Sequence, residues 1–144
     1  MKIYVAGCGG MLGQAFHHVF GADHELRCTD KDVNESWLSF LDFRDLDAYR
    51  KDVQGFRPDV LFHLGAHTDL EYCERNIEDA YLTNTTSVEN AVWIANQLDI
   101  PLLYISTAGI TPAAPLVGAV TTLLKAAFSS LTASAKQLTH FNIS

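Results

Sequence analysis

The pattern of apolar and polar positions at the start of the chain predicts a strand followed by a helix. Residues 2–6 form a short apolar run, typical of a buried parallel strand. Over 11–20, apolar residues recur at helical spacing. The segment between them, 7–13, is rich in glycine, so the chain opens as a strand, a tight turn and a helix.

The same alternation of strands and helices continues to about residue 105. The pattern predicts further strands over 25–29, 37–41, 59–64 and 102–105 and further helices over 44–53 and 78–98. The segment 37–41 is also compatible with a helical turn. Strands that alternate with helices predict a doubly wound parallel α/β sheet of the Rossmann type, here with about five strands.

The last part of the chain differs in composition. All seventeen acidic residues lie at or before Asp99, and Ala, Thr, Ser and Leu dominate after residue 111. We therefore expect a boundary near residue 110, with the α/β domain over 1–110 and a divergent, possibly foreign, tail over 111–144. Apolar residues at helical spacing over 116–138 predict a helix that packs on the sheet. Interspersed Thr, Ser and Lys make a membrane span an unfavourable interpretation.

Composition narrows the class of protein. An apolar fraction of 48% and a charged fraction of 19% are typical of a globular domain. A net charge of −7 without a basic cluster argues against nucleic acid and anionic membranes as partners. Three dispersed cysteines, Cys8, Cys28 and Cys73, indicate reduced thiols and a cytoplasmic location.

The glycines of the first turn have the spacing G-x-x-G-x-x-G, a variant of the dinucleotide-binding fingerprint. Gly7 would permit the sharp turn, Gly10 would let phosphates approach the backbone, and Gly13 would let the helix lie close to the strand. Main-chain N–H groups would then point outward at the positive end of the helix. Such an arrangement binds a pyrophosphate.

An acidic residue at the end of the second strand is the next element of that fingerprint. Asp30 occupies this position and can accept hydrogen bonds from the adenosine ribose, which favours NAD. Lys31 can offset the repulsion of a 2′-phosphate, so both NAD and NADP remain candidate cofactors. The alternative is that Asp30, Lys31 and Asp32 form a solvated turn.

Three further segments carry a resemblance to a known family. They are RPDVLFHLGAHT at 57–68, NTTSVENA at 84–91 and IST at 105–107. Together with the glycine turn, over 1–110, they resemble the dTDP-4-dehydrorhamnose reductase family of the extended short-chain dehydrogenases/reductases. The resemblance implies hydride transfer from NAD(P)H to the 4-keto group of a dTDP-sugar.

The resemblance also implies roles for individual residues. The implied cofactor residues are Gly7, Gly10, Met11, Leu12, Gly13, Asp30, Asp42, Ala66 and His67, to which the charge argument above adds Lys31. The amides of Met11 and Leu12 would donate to the pyrophosphate, Asp42 would lie by the adenine, and Ala66 and His67 would line the nicotinamide side.

Asn84 resembles an asparagine near the active site of the family. Thr107, with Ser106 beside it, falls at the catalytic hydroxyl that orients the substrate carbonyl.

Each of these residues also has a structural interpretation. Asp42 can cap a helix that starts at Arg44. His67 can be a loop histidine bonded to backbone, and Asn84 a solvent-facing residue within a helix. Ser106 and Thr107 can cap the segment that follows them.

The sequence lacks the proton donor of the implied reaction. In the family a tyrosine donates the proton and a lysine four residues later lowers its pKa, but the last tyrosine here is Tyr104. We therefore expect a truncated, catalytically incomplete chain that would bind a dTDP-sugar only when completed by a C-terminal part. A natural minimal domain is the rival explanation of the tail.

Two other functions stay open: a non-catalytic nucleotide-binding or regulatory module, and another sugar-nucleotide epimerase or dehydratase. Nothing in the sequence indicates a metal site, and homo-oligomerisation is left open.

Overall fold

The computed structural model describes residues 1–107 and 139–143, with side chains up to residue 105. Its six strands form one sheet. They are β1 (Lys2–Ala6), β2 (Glu25–Asp30), β3 (Leu38–Phe40), β4 (Val60–His63), β5 (Leu102–Thr107) and β6 (Thr139–Ile143). The helices are α1 (Met11–Phe20), α2 (Leu46–Phe56), α3 (Leu70–Arg75), α4 (Ile77–Tyr81) and α5 (Ser87–Leu98). A π-helical turn (Leu82–Thr86) joins α4 to α5.

The sheet has the order β3-β2-β1-β4-β5-β6, and every pair of neighbouring strands is parallel. The chain moves outward from β1 to β3, then returns to the other side of β1 for β4. This confirms the predicted doubly wound fold. The reversal between β1 and β4 opens the crevice in which such sheets bind ligands.

Two apolar cores lie on opposite faces of the sheet, because successive strand residues point to opposite sides. On one face, Phe16 of α1 packs with Ile3 and Val5 of β1. On the other, Tyr4 packs with Tyr49 of α2, in a cluster that also contains residues of α5. Both faces are therefore covered, as the continuous apolar runs of the strands require.

The strand count is larger than about five, because 139–143 adds β6 beside β5. The sequence did not predict this strand, because it has only five residues and follows a segment with apolar residues at helical spacing. Pairing with β6 satisfies main-chain groups that β5 would otherwise present at an edge. The predicted helix 116–138 lies outside the described residues. Within the described part of the chain, no helix is long and apolar enough to cross a membrane.

Helix boundaries differ from the prediction in three places. The helix predicted over 44–53 runs from Leu46 to Phe56, because the Asp45 side chain caps it and Arg57 ends it with a φ of 54°. The short, exposed α3 went unpredicted, since six residues give too little periodicity. The helix predicted over 78–98 contains the π-helical turn.

A chain of hydrogen bonds crosses the second core at His63, which is fully buried. The hydroxyl of Tyr49 lies 3.3 Å from Nδ1, and Nε2 lies 3.0 Å from the hydroxyl of Ser87. Because Ser87 donates its own proton to the carbonyl of Thr83, its oxygen is left to accept from Nε2–H. The tautomer is thereby assigned: His63 is neutral, protonated on Nε2 and accepting at Nδ1.

Burial lowers the pKa of His63 to about 4, from an ordinary value of 6.5. In the unfolded chain the imidazole takes up its proton near pH 6.5, whereas the folded protein resists it until about pH 4. Proton uptake in this window therefore favours the unfolded state. Stability is unaffected by this group above pH 6.5 and falls as the pH drops towards 4.

We predict that His63→Gln flattens the acid side of the stability profile. Between pH 7.5 and 5, the wild-type chain should lose about 2 kcal/mol more unfolding free energy than the variant. Urea unfolding at the two pH values measures this difference. His18→Gln, at an exposed histidine of α1, is the matched control and should keep the wild-type slope. Equal slopes for wild type and His63→Gln would contradict the prediction.

Candidate functional site

The predicted site residues lie at one edge of the parallel sheet, because the carboxyl ends of all its strands are on the same side. Asn84 approaches this edge from the π-helical turn. The others are Gly7, Gly10, Met11, Leu12 and Gly13 after β1, Asp30 and Lys31 at the end of β2, Asp42 after β3, Ala66 and His67 after β4, and Ser106 and Thr107 at the end of β5. They form the candidate site that the following contacts define.

The turn after β1 is held by main-chain hydrogen bonds to β2. The N–H groups of Gly7 and Cys8 both donate to the carbonyl of Thr29, at 2.9 and 3.0 Å. Gly7 has a φ of 78°, which favours glycine, and a Cβ there would lie 2.1 Å from the nitrogen of Gly65. The turn is therefore packed against the segment after β4 as well as bonded to β2.

Helix α1 begins at this turn with an uncapped N-terminus. Gly10 is its N-cap residue, no side chain caps it, and its first turn contains no acidic residue. The N–H groups of the first turn, which include those of Met11 and Leu12, have no carbonyl one turn earlier within the helix. The positive end of the helix dipole is thus available to an anion.

The other two glycines have different surroundings. A Cβ at Gly13 would lie 2.1 Å from the carbonyl oxygen of Cys8, so the start of α1 packs against the end of the turn. A Cβ at Gly10 would meet nothing within 4 Å. The backbone at Gly10 is therefore the open part of the turn.

The carboxylate of Asp30 lies beside this opening. Its Oδ2 accepts from the N–H of Gly9 at 2.8 Å, and its Oδ1 accepts from the N–H of Asp32 at 3.1 Å. Lys31 follows directly and is partly buried. Three amides of the turn, those of Gly7, Cys8 and Gly9, are thus satisfied internally. Of the main-chain N–H groups that the sequence predicted to point outward, only those in the first turn of α1 can therefore donate to a ligand.

The segment after β3 carries a tight ion pair. Nε and Nη2 of Arg44 donate to the two carboxylate oxygens of Asp42 at 2.8 and 2.6 Å. The Arg44 side chain, by hydrogen bonding, holds the pKa of Asp42 below its usual range. Asp42 does not cap α2, since Asp45 accepts from the N–H groups of Asp47 and Ala48.

Asp79 joins this pair to the segment after β4. Its Oδ1 accepts from Nη1 of Arg44 at 2.6 Å, and its Oδ2 lies 2.8 Å from Nε2 of His67 and 3.0 Å from the hydroxyl of Tyr72. Hydrogen bonds from Tyr72 and His67 and the nearby Arg44 charge lower the pKa of Asp79. We call Asp42, Arg44, Asp79, His67 and Tyr72 the charged rim.

Two asparagines fix the loops that bear the charged rim. Asn84 accepts from the N–H of His67 at 2.7 Å and donates to its carbonyl at 3.0 Å, so its amide does not point to solvent. Asn90 donates to the carbonyls of Phe43 and Arg44 at 3.3 and 3.1 Å. The helical segment 77–98 therefore positions the loops after both β3 and β4.

The arrangement combines an anion site with acceptors for a sugar. The uncapped terminus of α1 can receive a phosphate, and the Asp30 carboxylate can accept from hydroxyls. Among residues 1–107 and 139–143, no group of three or more His, Cys, Asp or Glu side chains could hold a metal ion.

The sequence did not identify Arg44 and Asp79 as residues of the site. They are far apart in the chain, and no local motif links them. The sequence signals for this part of the site were Asp42, His67 and Asn84.

The fold and the carboxyl-edge site define a Rossmann-type α/β protein. Residues 1–114 match the family model of the RmlD substrate binding domain. The chain belongs to this family, and the resemblance seen in the sequence is confirmed.

Curated relatives of this chain are dTDP-4-dehydrorhamnose reductases. The Escherichia coli protein is 35% identical over 71 residues, which cover 49% of this chain and 24% of that protein. The Aggregatibacter actinomycetemcomitans protein is 24% identical over 111 residues, which cover 74% of this chain and 34% of that protein. The chain thus spans between a quarter and about a third of the length of these relatives.

Solved structures share the fold. A dTDP-4-dehydrorhamnose reductase from Bacillus anthracis, in complex with NADP, matches with a TM-score of 0.64 at 24% identity. The matched region covers 74% of this chain and 36% of the reductase chain. The Thermus thermophilus UDP-glucose 4-epimerase, in complex with NAD, matches with a TM-score of 0.71 at 18% identity. The matched region covers 99% of this chain and 54% of the epimerase chain.

We predict opposite tolerance at two neighbouring glycines. Gly13→Ala should lower the unfolding free energy by about 1–3 kcal/mol, because its Cβ meets the Cys8 carbonyl and α1 must move. Gly10→Ala should change stability by less than about 1 kcal/mol, because its Cβ enters open space. Urea unfolding of the two variants checks this. Equal destabilisation would show that the close packing at Gly13 is not specific.

Proposed function

We propose that this chain binds a nicotinamide dinucleotide as the cofactor-binding part of a dTDP-4-dehydrorhamnose reductase-like oxidoreductase. The observation that carries the proposal is the uncapped first turn of α1 beside the Asp30 carboxylate. A pyrophosphate would lie over the amides of Met11 and Leu12, next to the open backbone of Gly10. Gly7 and Gly13 give the turn its shape.

The adenosine half would lie on the β2 side of the turn. Asp30 can accept from the ribose hydroxyls, and its negative charge disfavours a 2′-phosphate. Lys31 supplies a partial counter-charge, so NADP remains a candidate beside NAD. The solved relatives in complex with NADP and with NAD support both cofactors.

The nicotinamide half would extend to the opposite side, over the segment after β4 that contains Ala66 and His67. Ser106 and Thr107 end β5 at the same edge. We propose Thr107, with Ser106, as the hydroxyl that orients a substrate carbonyl. Asn84 would act indirectly, by fixing the backbone of His67.

The proton donor is missing from these 144 residues, which contain no Tyr-x-x-x-Lys sequence. An aliphatic hydroxyl is too weak an acid to replace the tyrosine. We therefore propose that this chain binds cofactor without completing the reduction, and that a dTDP-sugar binds only with a further C-terminal part. An epimerase or dehydratase function would require the same missing pair.

A non-catalytic nucleotide-binding module is the second candidate, favoured by that same absence. It shares the cofactor cleft but would show no turnover in any context.

Free Cys8, Cys28 and Cys73 agree with a cytoplasmic location.

We predict that NADH and NADPH bind to the wild-type chain and that Gly10→Asp strongly weakens this binding. The Asp side chain has room at Gly10, so the fold should persist while its carboxylate repels the phosphates. Nicotinamide fluorescence during titration measures affinity. We expect a loss of at least about tenfold, which corresponds to 1.4 kcal/mol.

The matched control is Gly55→Asp, because a Cβ at Gly55 also meets nothing within 4 Å and lies on α2, away from the glycine turn. It should bind like the wild-type chain. Undiminished binding by Gly10→Asp, or no binding by the wild type, would refute the proposed cofactor site.

We further predict no NAD(P)H-dependent reduction of a dTDP-4-keto sugar by the purified 144-residue chain. Absorbance at the NADH band measures turnover, with a full-length reductase as positive control. Turnover above the protein-free rate would reveal another proton donor. Restoration of turnover by fusion to a reductase C-terminal part would distinguish an incomplete enzyme from a binding module.

A further inference from the structure

We propose that the exposed ring of Phe40 packs against the adenine base of the bound dinucleotide. This inference rests on the proposed function, because it needs a dinucleotide whose adenosine ribose lies at Asp30. It adds a contact for the base, which neither the glycine turn nor the Asp30 carboxylate provides.

The first argument is the exposure of the Phe40 ring. Phe40 is the last residue of β3, the outermost strand on its side of the sheet, and it is 71% exposed. The connection from β2, residues 31–37, forms no helix over it. Single exposed apolar side chains are common on protein surfaces, so exposure alone assigns no role. The location of this ring does.

The second argument is that Phe40 and Asp30 point to the same face of the sheet. They are partners in the parallel register of β3 and β2. Two residues earlier in each strand, the partners Leu38 and Cys28 are both buried in the core on the α1 side. Since strand side chains alternate with a period of two, Phe40 and Asp30 also point to the α1 side. The N–H of Leu41 donates to the carbonyl of Asp30 at 2.9 Å, so the pairing extends to the ends of both strands.

The third argument is the direction that a nucleotide would take. The Asp30 carboxylate accepts from the N–H of Gly9 on its β1 side, and Phe40 lies on its β3 side. The 5′ carbon and the base leave opposite ends of a ribose, with the hydroxyls between them. A ribose bonded to Asp30, with its phosphates over Met11 and Leu12, therefore directs its base towards β3. Neighbouring strands are about 4.8 Å apart, so the base reaches Phe40.

The fourth argument is the chemistry of the contact. Nucleobases stack on aromatic side chains, and the contact requires no charge on either partner. A neutral base suits this part of the surface, where Asp30, Asp32 and Glu35 would repel a further phosphate. A phenylalanine side chain has only two torsions to order, so little of the stacking free energy is lost when the base binds.

The test compares ligands with and without the adenosine half. The wild-type chain and Phe40→Ala are titrated with NADH, with ADP-ribose by competition, and with reduced nicotinamide mononucleotide. We expect Phe40→Ala to bind NADH and ADP-ribose about 5- to 30-fold more weakly. Affinity for the mononucleotide should stay within about twofold, because it lacks the base. Phe40→Trp keeps a planar ring and should bind NADH within about threefold of the wild type.

The matched control is Tyr81→Ala. Tyr81 lies at the end of α4 and is 58% exposed, so this variant also removes an exposed aromatic ring from the surface. It should leave all three affinities unchanged.

A second measurement observes the contact directly and needs no variant that alters the fold. In the wild-type complex with ADP-ribose, we expect NMR cross-relaxation between the adenine protons and the ring protons of Phe40.

The outcomes separate the two proposals. No binding of NADH or ADP-ribose to the wild type would remove the proposed function and this inference with it. Wild-type binding with unchanged ADP-ribose affinity in Phe40→Ala, or a complex without the cross-relaxation, would overturn the contact alone. Equal weakening of mononucleotide and dinucleotide would assign Phe40 a purely structural role in β3. Unchanged affinities with altered self-association would assign the ring to a contact between copies of the chain, and either result would also overturn the inference.

Discussion

The carbonyl of Thr29 is the acceptor on which the candidate site depends. It takes hydrogen bonds from both Gly7 and Cys8, and so it bends the chain at the end of β1 and ties the turn to β2. Along this path Gly7 has a positive φ and lies close against Gly65. Since α1 starts directly after the turn, its direction, and the direction of its free N–H groups, follow from these two bonds.

The remaining loops of the site are fixed by polar side chains as well as by the apolar packing of Leu41 and Phe43. Asn84 and Asn90 bond to main-chain atoms of the loops after β4 and β3, while Ile94 and Ala91, on the same helical segment, lie in the core. One helical segment thus anchors itself in the sheet and orients two loops at its edge. The charged rim then joins those loops to each other through Asp79.

The fold was predictable where apolar periodicity is strong, and the glycine turn was predictable because its spacing reflects backbone constraints. The extents of β1 and α1 agree with the sequence pattern, and Asp30 lies at the end of β2 as expected. Contacts between distant residues were not predictable. Arg44 and Asp79 form an ion pair because two crossover connections return to the same edge of the sheet. A local sequence pattern does not encode that contact. The strand at 139–143 was hidden for a similar reason, since its partner β5 is remote in sequence.

The π-helical turn at Leu82–Thr86 sets the angular offset between the two parts of its helical segment. In an α-helix each residue advances by about 100° around the axis, and a π turn accommodates one extra residue. Loss of a single residue here would restore regular winding and swing α4 by about that angle, carrying the Asp79 carboxylate away from Arg44 while Asn90 kept its bonds. The coupling of the two loops is therefore encoded in chain length as well as in side-chain identity.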